Sequence, residues 1–492
     1  MAGKNGFYIT TAIDYPNSVP HLGHAYEKIC ADTIARWHRF KGEKVFFLTG
    51  TDEHGQKVEK AAKEAKLPTQ KFVDLQVESF KKLVKVLNIS NDRFIRTTEK
   101  RHGEISQEFF KKSLDKGDIY KGQYEGLYCT GCEAFYLEKD LAEGKCPIHK
   151  TVPELLKEES YFFRLSKYQK QLLEFYEKNP NFILPKTRRQ EIINRVKEGL
   201  KDLSVSRTSF TWGIPLPNDS KHFLYVWYDA LLNYVSGVDF PEKKFKEFWP
   251  ADIHLIGKDI LWFHSCIFPA MLFSAGIEPP RSVFVHGFIN LGGEKLSKSS
   301  GLVVDPIKLA EQYGTDALRY FLLREIPFGE DGNFSEESLR ERINNELANE
   351  LGNLLNRSIV LLEKKCAGKI PSAKTDDALQ KKLNLKKIEV HLDALELHLA
   401  LAEIMAFVKS CNVFVNEKEP WKLEGKAAEA VLYSLADSLR IIANLLSPFI
   451  PETAEKIAGQ LGCKLGALDE CKFNLLRAGL STRKGEVLFK KI

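Results

Sequence analysis

Phe7-Tyr8-Ile9-Thr10-Thr11-Ala12-Ile13 reads as a buried strand that runs through a turn at Pro16-Asn17-Ser18 into His21-Leu22-Gly23-His24. From Ala25 to Phe40 the residues Ile29, Ile34 and Trp37 recur near helical spacing, which predicts a helix packed on that strand. Val45-Phe46-Phe47-Leu48-Thr49 is a second strand, closed by Gly50-Thr51-Asp52-Glu53-His54-Gly55. Strand, helix and strand in this rhythm predict βαβ units and a parallel, doubly wound sheet. The rhythm breaks between about Lys116 and His222, where aromatic, Gly and Cys residues crowd into irregular segments. It resumes at His254-Leu255-Ile256-Gly257 and Val283-Phe284-Val285-His286-Gly287, so the middle block reads as an insertion into the sheet domain. From Ser335 to Ile457 the period is helical, punctuated by Pro371 and Pro420, and predicts a separate all-α bundle. Drawn on this pattern, the sheet domain covers 1–115 and 223–290, the insertion 116–222, a connecting region 291–334, and the bundle with its tail 335–492.

A chain of 492 residues exceeds what one core usually fills, which agrees with several domains. Hydrophobic residues at 43% and charged residues at 28% exclude a disordered or collagen-like chain. Seventy-two Lys and Arg against 66 Asp and Glu leave a charge of +6, which permits a polyanionic partner without demanding one. No uninterrupted apolar run approaches the roughly 20 residues that span a bilayer, and Met1 to Asn17 shows no secretory pattern. Nine cysteines, of which three cluster, point to a reducing compartment and a cytoplasmic protein without membrane contact.

Three groups of residues carry chemistry. His21 and His24 flank Gly23 at the predicted helix start, where backbone N–H groups favour phosphate and two imidazoles can donate to phosphoryl oxygens. Gly23 is expected to let a phosphate approach closely. Lys295-Leu296-Ser297-Lys298-Ser299 lies between Gly292-Gly293 and Ser300-Gly301, a loop whose two lysines can close over a polyphosphate. Cys129-Thr130-Gly131-Cys132 with Cys146-Pro147-Ile148-His149 supplies two ligand pairs at two-residue spacing, suited to one closed, structural Cys₃His zinc site.

The order and spacing of the first two groups resemble the HIGH and KMSKS signatures of class I aminoacyl-tRNA synthetases, with Leu22 and Leu296 as conservative apolar departures. Nearly the whole chain resembles the methionyl-tRNA synthetases, of the bacterial type with one zinc knuckle. The supporting strings are Ala12-Ile13-Asp14-Tyr15-Pro16-Asn17, Thr49 to Gly55, Tyr225-Val226-Trp227-Tyr228-Asp229-Ala230, Ile256-Gly257-Lys258-Asp259-Ile260, Phe284-Val285-His286-Gly287, Asn353-Leu354-Leu355-Asn356-Arg357 and Pro420-Trp421. The resemblance implies a Rossmann-like catalytic domain with a zinc-containing connective insertion, followed by an all-α anticodon-binding bundle.

Position by position, the resemblance implies that Asp52 anchors the methionine α-ammonium, while Ile13, Tyr15, Trp227, Ala230, Tyr234 and His286 line the side-chain pocket. Leu231 stands where some relatives carry proline. Gly257, Lys258 and Asp259 would approach the ribose and adenine of ATP, and His21, His24, Lys295, Ser297 and Lys298 its phosphates, with Mg²⁺ accompanying the nucleotide. Asn353, Arg357 and Trp421 would read the CAU anticodon of tRNA(Met). A stripe of Leu347, Leu351, Leu354, Leu355 and Leu362 predicts the buried side of that helix. The implied activity is ATP-dependent charging of tRNA(Met) through methionyl-adenylate.

Other readings fit less well. A cysteinyl-tRNA synthetase needs a zinc ligand just after its first strand, and no cysteine lies between Phe7 and His21. The middle block is too small for the editing insertion of the leucine, isoleucine and valine enzymes. A nucleotidyltransferase without tRNA leaves the bundle residues without a task, and a non-catalytic RNA-binding module has no need of both signatures. Because many relatives continue into a dimerising tRNA-binding domain, the end at Ile492 suggests a monomer, with room for a separate trans-acting tRNA-binding subunit.

Overall fold

The computed structural model describes residues 4–132, 134–136, 138–291, 294–295 and 304–492. Six parallel strands form its central sheet, in the spatial order Arg93–Arg96, Val45–Thr51, Phe7–Thr11, Ile253–Gly257, Val283–His286 and Ile183–Leu184. Ile9 pairs with Phe47 on one side and Ile253 on the other. The chain therefore leaves its first strand in one direction and returns on the other flank. Such a reversal opens a crevice beyond the carboxyl ends of the strands. Here the backbone splays: Ala12 N–H donates to Leu255 O at 3.1 Å, whereas Asp14 N–H donates to Gly50 O at 3.0 Å.

Both faces of the sheet are covered, so its four central strands are buried at nearly every position. Alternate side chains enter two separate cores. Ile9, Phe47, Leu255 and Phe284 join a core shared with the helix Leu22–Phe40 and the C-terminal bundle. Tyr8, Phe46, Leu48, Ile256 and Val285 join a second core with the middle of the chain. One strand period thus splits its residues between two masses of protein.

The middle block is less separate than its irregular composition suggests. Its long hairpin, Ile119–Cys129 against Glu154–Phe163, is the antiparallel frame of a four-stranded sheet. Yet Ile183–Leu184, from the same block, forms an edge strand of the main sheet. Two residues are too short for a periodic signal, which is why sequence reading passes over them.

The bundle contains the helices Asn353–Cys366, Leu397–Lys418, Gly425–Leu446 and Pro451–Leu461. The predicted stripe is present: Leu347, Leu351, Leu354, Leu355 and Leu362 are all buried. Leu397–Lys418 is long and apolar enough to cross a membrane. It serves as a core helix, with Leu401, Ile404, Val408 and Cys411 buried to 0% exposure.

A fully buried ion pair ties bundle and sheet domain together. Arg319 Nη2 lies 2.8 Å from Asp32 Oδ2, while its Nε donates to Phe449 O at 2.8 Å and its Nη1 to Leu87 O at 3.1 Å. Asp32 sits on the helix that begins at Leu22, so this contact reaches the element carrying the histidine pair.

Candidate active site

His21 is the N-cap of the helix Leu22–Phe40. Its Nδ1 accepts the Gly23 N–H at 3.1 Å, and His24 Nδ1 accepts the His21 N–H at 3.1 Å. The two rings stack at 3.7 Å with an interplanar angle of 18°. A ring nitrogen that accepts a backbone N–H cannot hold the proton, so each imidazole carries it on Nε2 and presents a donor there.

This differs from the expected open helix start. The N–H groups of His21 and Gly23 are taken up by the histidines themselves, which leaves Nε2–H as the donor of each imidazole. A Cβ on Gly23 would sit 3.0 Å from His21 Cε1, so glycine also makes room for the ring.

Asp14 follows the first strand at the point of splay, and its carboxylate pairs with the fully buried Lys28. Asp14 Oδ1 lies 3.8 Å from His24 Nε2, and Asp14 O accepts the Asp52 N–H at 2.8 Å. Asp14 therefore joins the histidine pair to Asp52. Asp52 itself is 3% exposed at the carboxyl end of Val45–Thr51, on the crevice.

The loop after Asp52 is held from several sides. Glu53 accepts from Thr51 Oγ1 at 2.6 Å and from Arg96 Nε and Nη2 at 2.7 and 3.0 Å, while Trp212 Nε1 donates to Glu53 O at 2.6 Å. His54 Nδ1 donates to Asp229 Oδ2 at 2.7 Å. Asp229 lies on the short helix Val226–Ala230, which also carries Trp227 and Ala230. An unbroken sequence of contacts thus runs from the histidine pair through Asp14, the Asp52 loop and Asp229 to the Trp227 helix.

Trp227 is half-buried and stacks on Phe263 at 3.8 Å and 11°. Ile13 and Tyr15 are half-buried, and Ala230, Leu231 and Tyr234 are buried. Lys57 Nζ stands 5.2 Å over the Tyr15 ring. Tyr234 donates to His264 Nε2 at 2.7 Å, because His264 gives its Nδ1–H to Ile260 O at 3.0 Å and burial pushes that imidazole down to about 4.

His286 is buried at the carboxyl end of the strand Val283–His286. Its Nε2 is 3.0 Å from Glu27 Oε2, its Nδ1 donates to Gly287 O at 2.7 Å, and its ring meets Tyr26 edge-on at 5.6 Å. Tyr234 meets two histidines, His264 through its hydroxyl and His254 through its ring at 4.2 Å. His264 belongs to a helical run after Ile260 that carries no signature string, so only the neighbouring strings pointed toward it.

Gly257 closes the strand Ile253–Gly257, and Asp259 is exposed just beyond it. Lys258 is engaged by the Asp331 carboxylate at 2.6 and 2.7 Å. Burial works to raise the Asp331 carboxyl, and Lys258 together with the Phe288 N–H outweighs it, holding the group below its ordinary value. Lys295 lies in the short strand Glu294–Lys295, antiparallel to Ile289–Leu291. Ser297 and Lys298 lie outside the described residues.

Cys129, Cys132, Cys146 and His149 come together at the tip of the long hairpin, all their donor atoms within 4.8 Å of one another. Cys132 Sγ is 3.4 Å from Cys146 Sγ and 3.1 Å from His149 Nδ1. A Cβ on Gly131 would fall 2.5 Å from the His149 ring, so the knuckle requires glycine there. Three soft thiolates and an imidazole this close fit a single tetrahedral metal ion.

On the bundle, Asn353 is exposed, and the Arg357 guanidinium lies 5.6 Å from the Trp421 ring centroid. Trp421 is 42% exposed, which excludes a core role for it. Arg357 Nη2 donates to Asn416 Oδ1 at 3.0 Å, and Asn416 had no signal of its own in the sequence.

The family described as "tRNA synthetases class I (M)" matches residues 7–152 and 136–359, and "Anticodon binding domain of methionyl tRNA ligase" matches 367–492. The methionine–tRNA ligase of Caldanaerobacter subterraneus subsp. tengcongensis is 48% identical over 99% of this chain and 79% of its own length. The Mycobacterium tuberculosis methionyl-tRNA synthetase in complex with methionyl-adenylate superimposes with a TM-score of 0.95, at 43% identity over 99% of both chains. Its apo form gives 0.88 at 40% identity, covering 100% of this chain and 99% of that one.

Proposed function

The chain belongs to the methionyl branch of the class I tRNA synthetases, and from that membership we propose how its residues divide the work of charging tRNA(Met). The protein attaches methionine to tRNA in an ATP-dependent reaction. The methionine carboxylate attacks the α-phosphorus of ATP, forming methionyl-adenylate and releasing pyrophosphate. The 3′-terminal adenosine of the tRNA then attacks the adenylate carbonyl, and AMP leaves. No covalent enzyme intermediate takes part, so the protein contributes positioning and charge stabilisation.

In this reading Asp52 holds the α-ammonium. His21 and His24 donate through Nε2–H to the phosphates, and Lys295, Ser297 and Lys298 close over them. Gly257, Lys258 and Asp259 flank the adenosine, and Mg²⁺ enters with ATP. Ile13, Tyr15, Trp227, Ala230, Tyr234 and His286 receive the thioether, a soft group suited to aromatic surfaces. The observation that carries the reading is the position of Asp14, which meets both His24 and the Asp52 loop at the reversal of the sheet. One crevice can then hold the amino acid and the triphosphate in line.

Asn353, Arg357 and Trp421 read the anticodon, supported by their exposure and by the guanidinium over the indole. Pyrophosphate exchange tests both halves of the reading. Methionine supports exchange with ATP in the absence of tRNA, and leucine or cysteine does not. Trp421→Ala spares that exchange while weakening tRNA charging about tenfold or more, the loss of one stacked base. Equal damage to both reactions would make Trp421 a structural residue.

Zn²⁺ fills the Cys₃His cluster, where four protein donors leave it a structural task. Such ions contribute roughly 10–16 kcal/mol of apparent binding energy to small folds. Cys146→Ser is expected to lower zinc from one ion per chain and open the hairpin 119–163 to protease, leaving the bundle protected. Unchanged protease resistance after zinc loss would contradict the assignment. Six further cysteines outside the cluster, with no disulfide among the described residues, support a cytoplasmic location.

A further inference from the structure

A buried chain of titratable groups lies behind the methionine side of the crevice and has no part in the steps above. Ser236 Oγ donates to His102 Nδ1 at 2.8 Å, His102 Nε2 donates to Asp229 Oδ1 at 2.5 Å, and Asp229 Oδ2 accepts from His54 Nδ1 at 2.7 Å. The side chains of His102 and Asp229 are at most 1% exposed, and that of His54 is 10% exposed. Burial works to raise the Asp229 carboxyl, and the two histidines outweigh it, holding the group at about 2. It is therefore a carboxylate with both oxygens engaged, on which two imidazoles converge from opposite sides.

The position of the chain gives it meaning. His54 is two residues beyond Asp52, in a loop already pinned through Glu53 to Arg96 and Trp212. Asp229 lies between Trp227 and Ala230 on their short helix. His102 comes from the helix Lys100–Asp115 and braces Asp229 from behind. The ammonium end and the thioether end of the crevice are thus separate pieces of chain, hydrogen-bonded to each other at Asp229.

We propose that His54, Asp229 and His102 set the length of amino acid the crevice accepts, by fixing the spacing between Asp52 and the Trp227–Ala230 wall. The three are positioning residues, because they act through those two walls, and the inference rests on the pocket assignment above. Short, buried and charge-assisted hydrogen bonds tolerate little displacement. A shift of about one bond length in this spacing separates methionine from homologues one carbon shorter or longer.

The test compares methionine with its S-ethyl homologue, ethionine, in pyrophosphate exchange. His102→Leu is expected to raise the KM for methionine and to lower the preference for methionine over ethionine, each about tenfold, with the KM for ATP unchanged. His102→Gln can donate from the place of the imidazole Nε2, and is expected to restore both values to within about twofold. Ser236→Ala, which removes the hydroxyl that orients His102 together with its longer contact to Asn233 O at 3.3 Å, shifts the same preference about threefold and carries the test if the leucine variant does not fold. A preference unchanged in His102→Leu or in Ser236→Ala overturns the proposal, as does a parallel rise in both KM values. Asp52→Asn separates the two levels. If it leaves the methionine KM unaltered, the pocket assignment fails and this inference with it. If it raises that KM while the ethionine preference of the His102 and Ser236 variants stays put, this inference alone falls.

Discussion

His24→Ala slows methionyl-adenylate formation by about 10²–10³-fold, equivalent to about 2.7–4 kcal/mol of lost transition-state stabilisation, with methionine affinity near normal. The size follows from preorganisation. His24 is held by its stack on His21 and by the His21 N–H on its Nδ1, so the Nε2–H donor is in place before charge moves on the phosphates. Alanine removes that donor and also half of the reciprocal cap. His24→Asn separates the two, because its Oδ1 can accept the His21 N–H while its side chain is too short to reach as far as Nε2. The expected result is an asparagine variant with an intact fold that is nearly as slow as the alanine variant. Single-turnover adenylate formation and equilibrium methionine binding measure the two quantities. An asparagine variant at the normal rate would reduce His24 to a capping residue.

The second large effect is on stability. Arg319→Met leaves Asp32 fully buried with only Arg36 (2.7 Å) and the Ser90 hydrogen bonds to support it. Breaking a buried ion pair from one side costs about 3–5 kcal/mol. The loss falls at the joint between sheet domain and bundle, since Arg319 also holds Phe449 O and Leu87 O. Burial acts to raise the Asp32 carboxyl, and Arg319 and Arg36 outweigh it, keeping the group below its ordinary value. A depressed carboxyl stabilises the fold above its unfolded pKa, and that contribution disappears as pH falls through the folded value. Urea unfolding should therefore show a lower midpoint for Arg319→Met near neutrality, with the gap to the unaltered protein narrowing in acid. A double variant, Arg319→Met with Asp32→Asn, recovers part of the loss because no buried charge is stranded. A single variant as stable as the original would show that apolar packing alone secures the joint.

The sequence reading reached far where a residue acts locally. Cys129, Cys132, Cys146 and His149 are legible as a cluster from spacing, and the structure brings their donor atoms within 4.8 Å of one another. The stripe Leu347 to Leu362 and the βαβ rhythm likewise rest on periods of a few residues, and both are present in the fold. The reading fell short where partners come from far along the chain. His286 and His264 have the same side chain, and nothing local says that one turns to Glu27 and the other to Tyr234. His102 sits on a helix without a signature string, and its partner Asp229 lies 127 positions later.

Local order along the chain was enough to decide the βαβ framework, the cysteine–histidine cluster and the residues at the strand ends, because short-range sterics and side-chain period act over a few residues. Tertiary packing alone decided which carboxylate each buried imidazole meets, which backbone groups the histidine pair consumes, and that an interior Arg–Asp pair joins the two halves. Those choices depend on which side chains lose their water together. That is a property of the assembled cores, and no stretch of the chain carries it by itself.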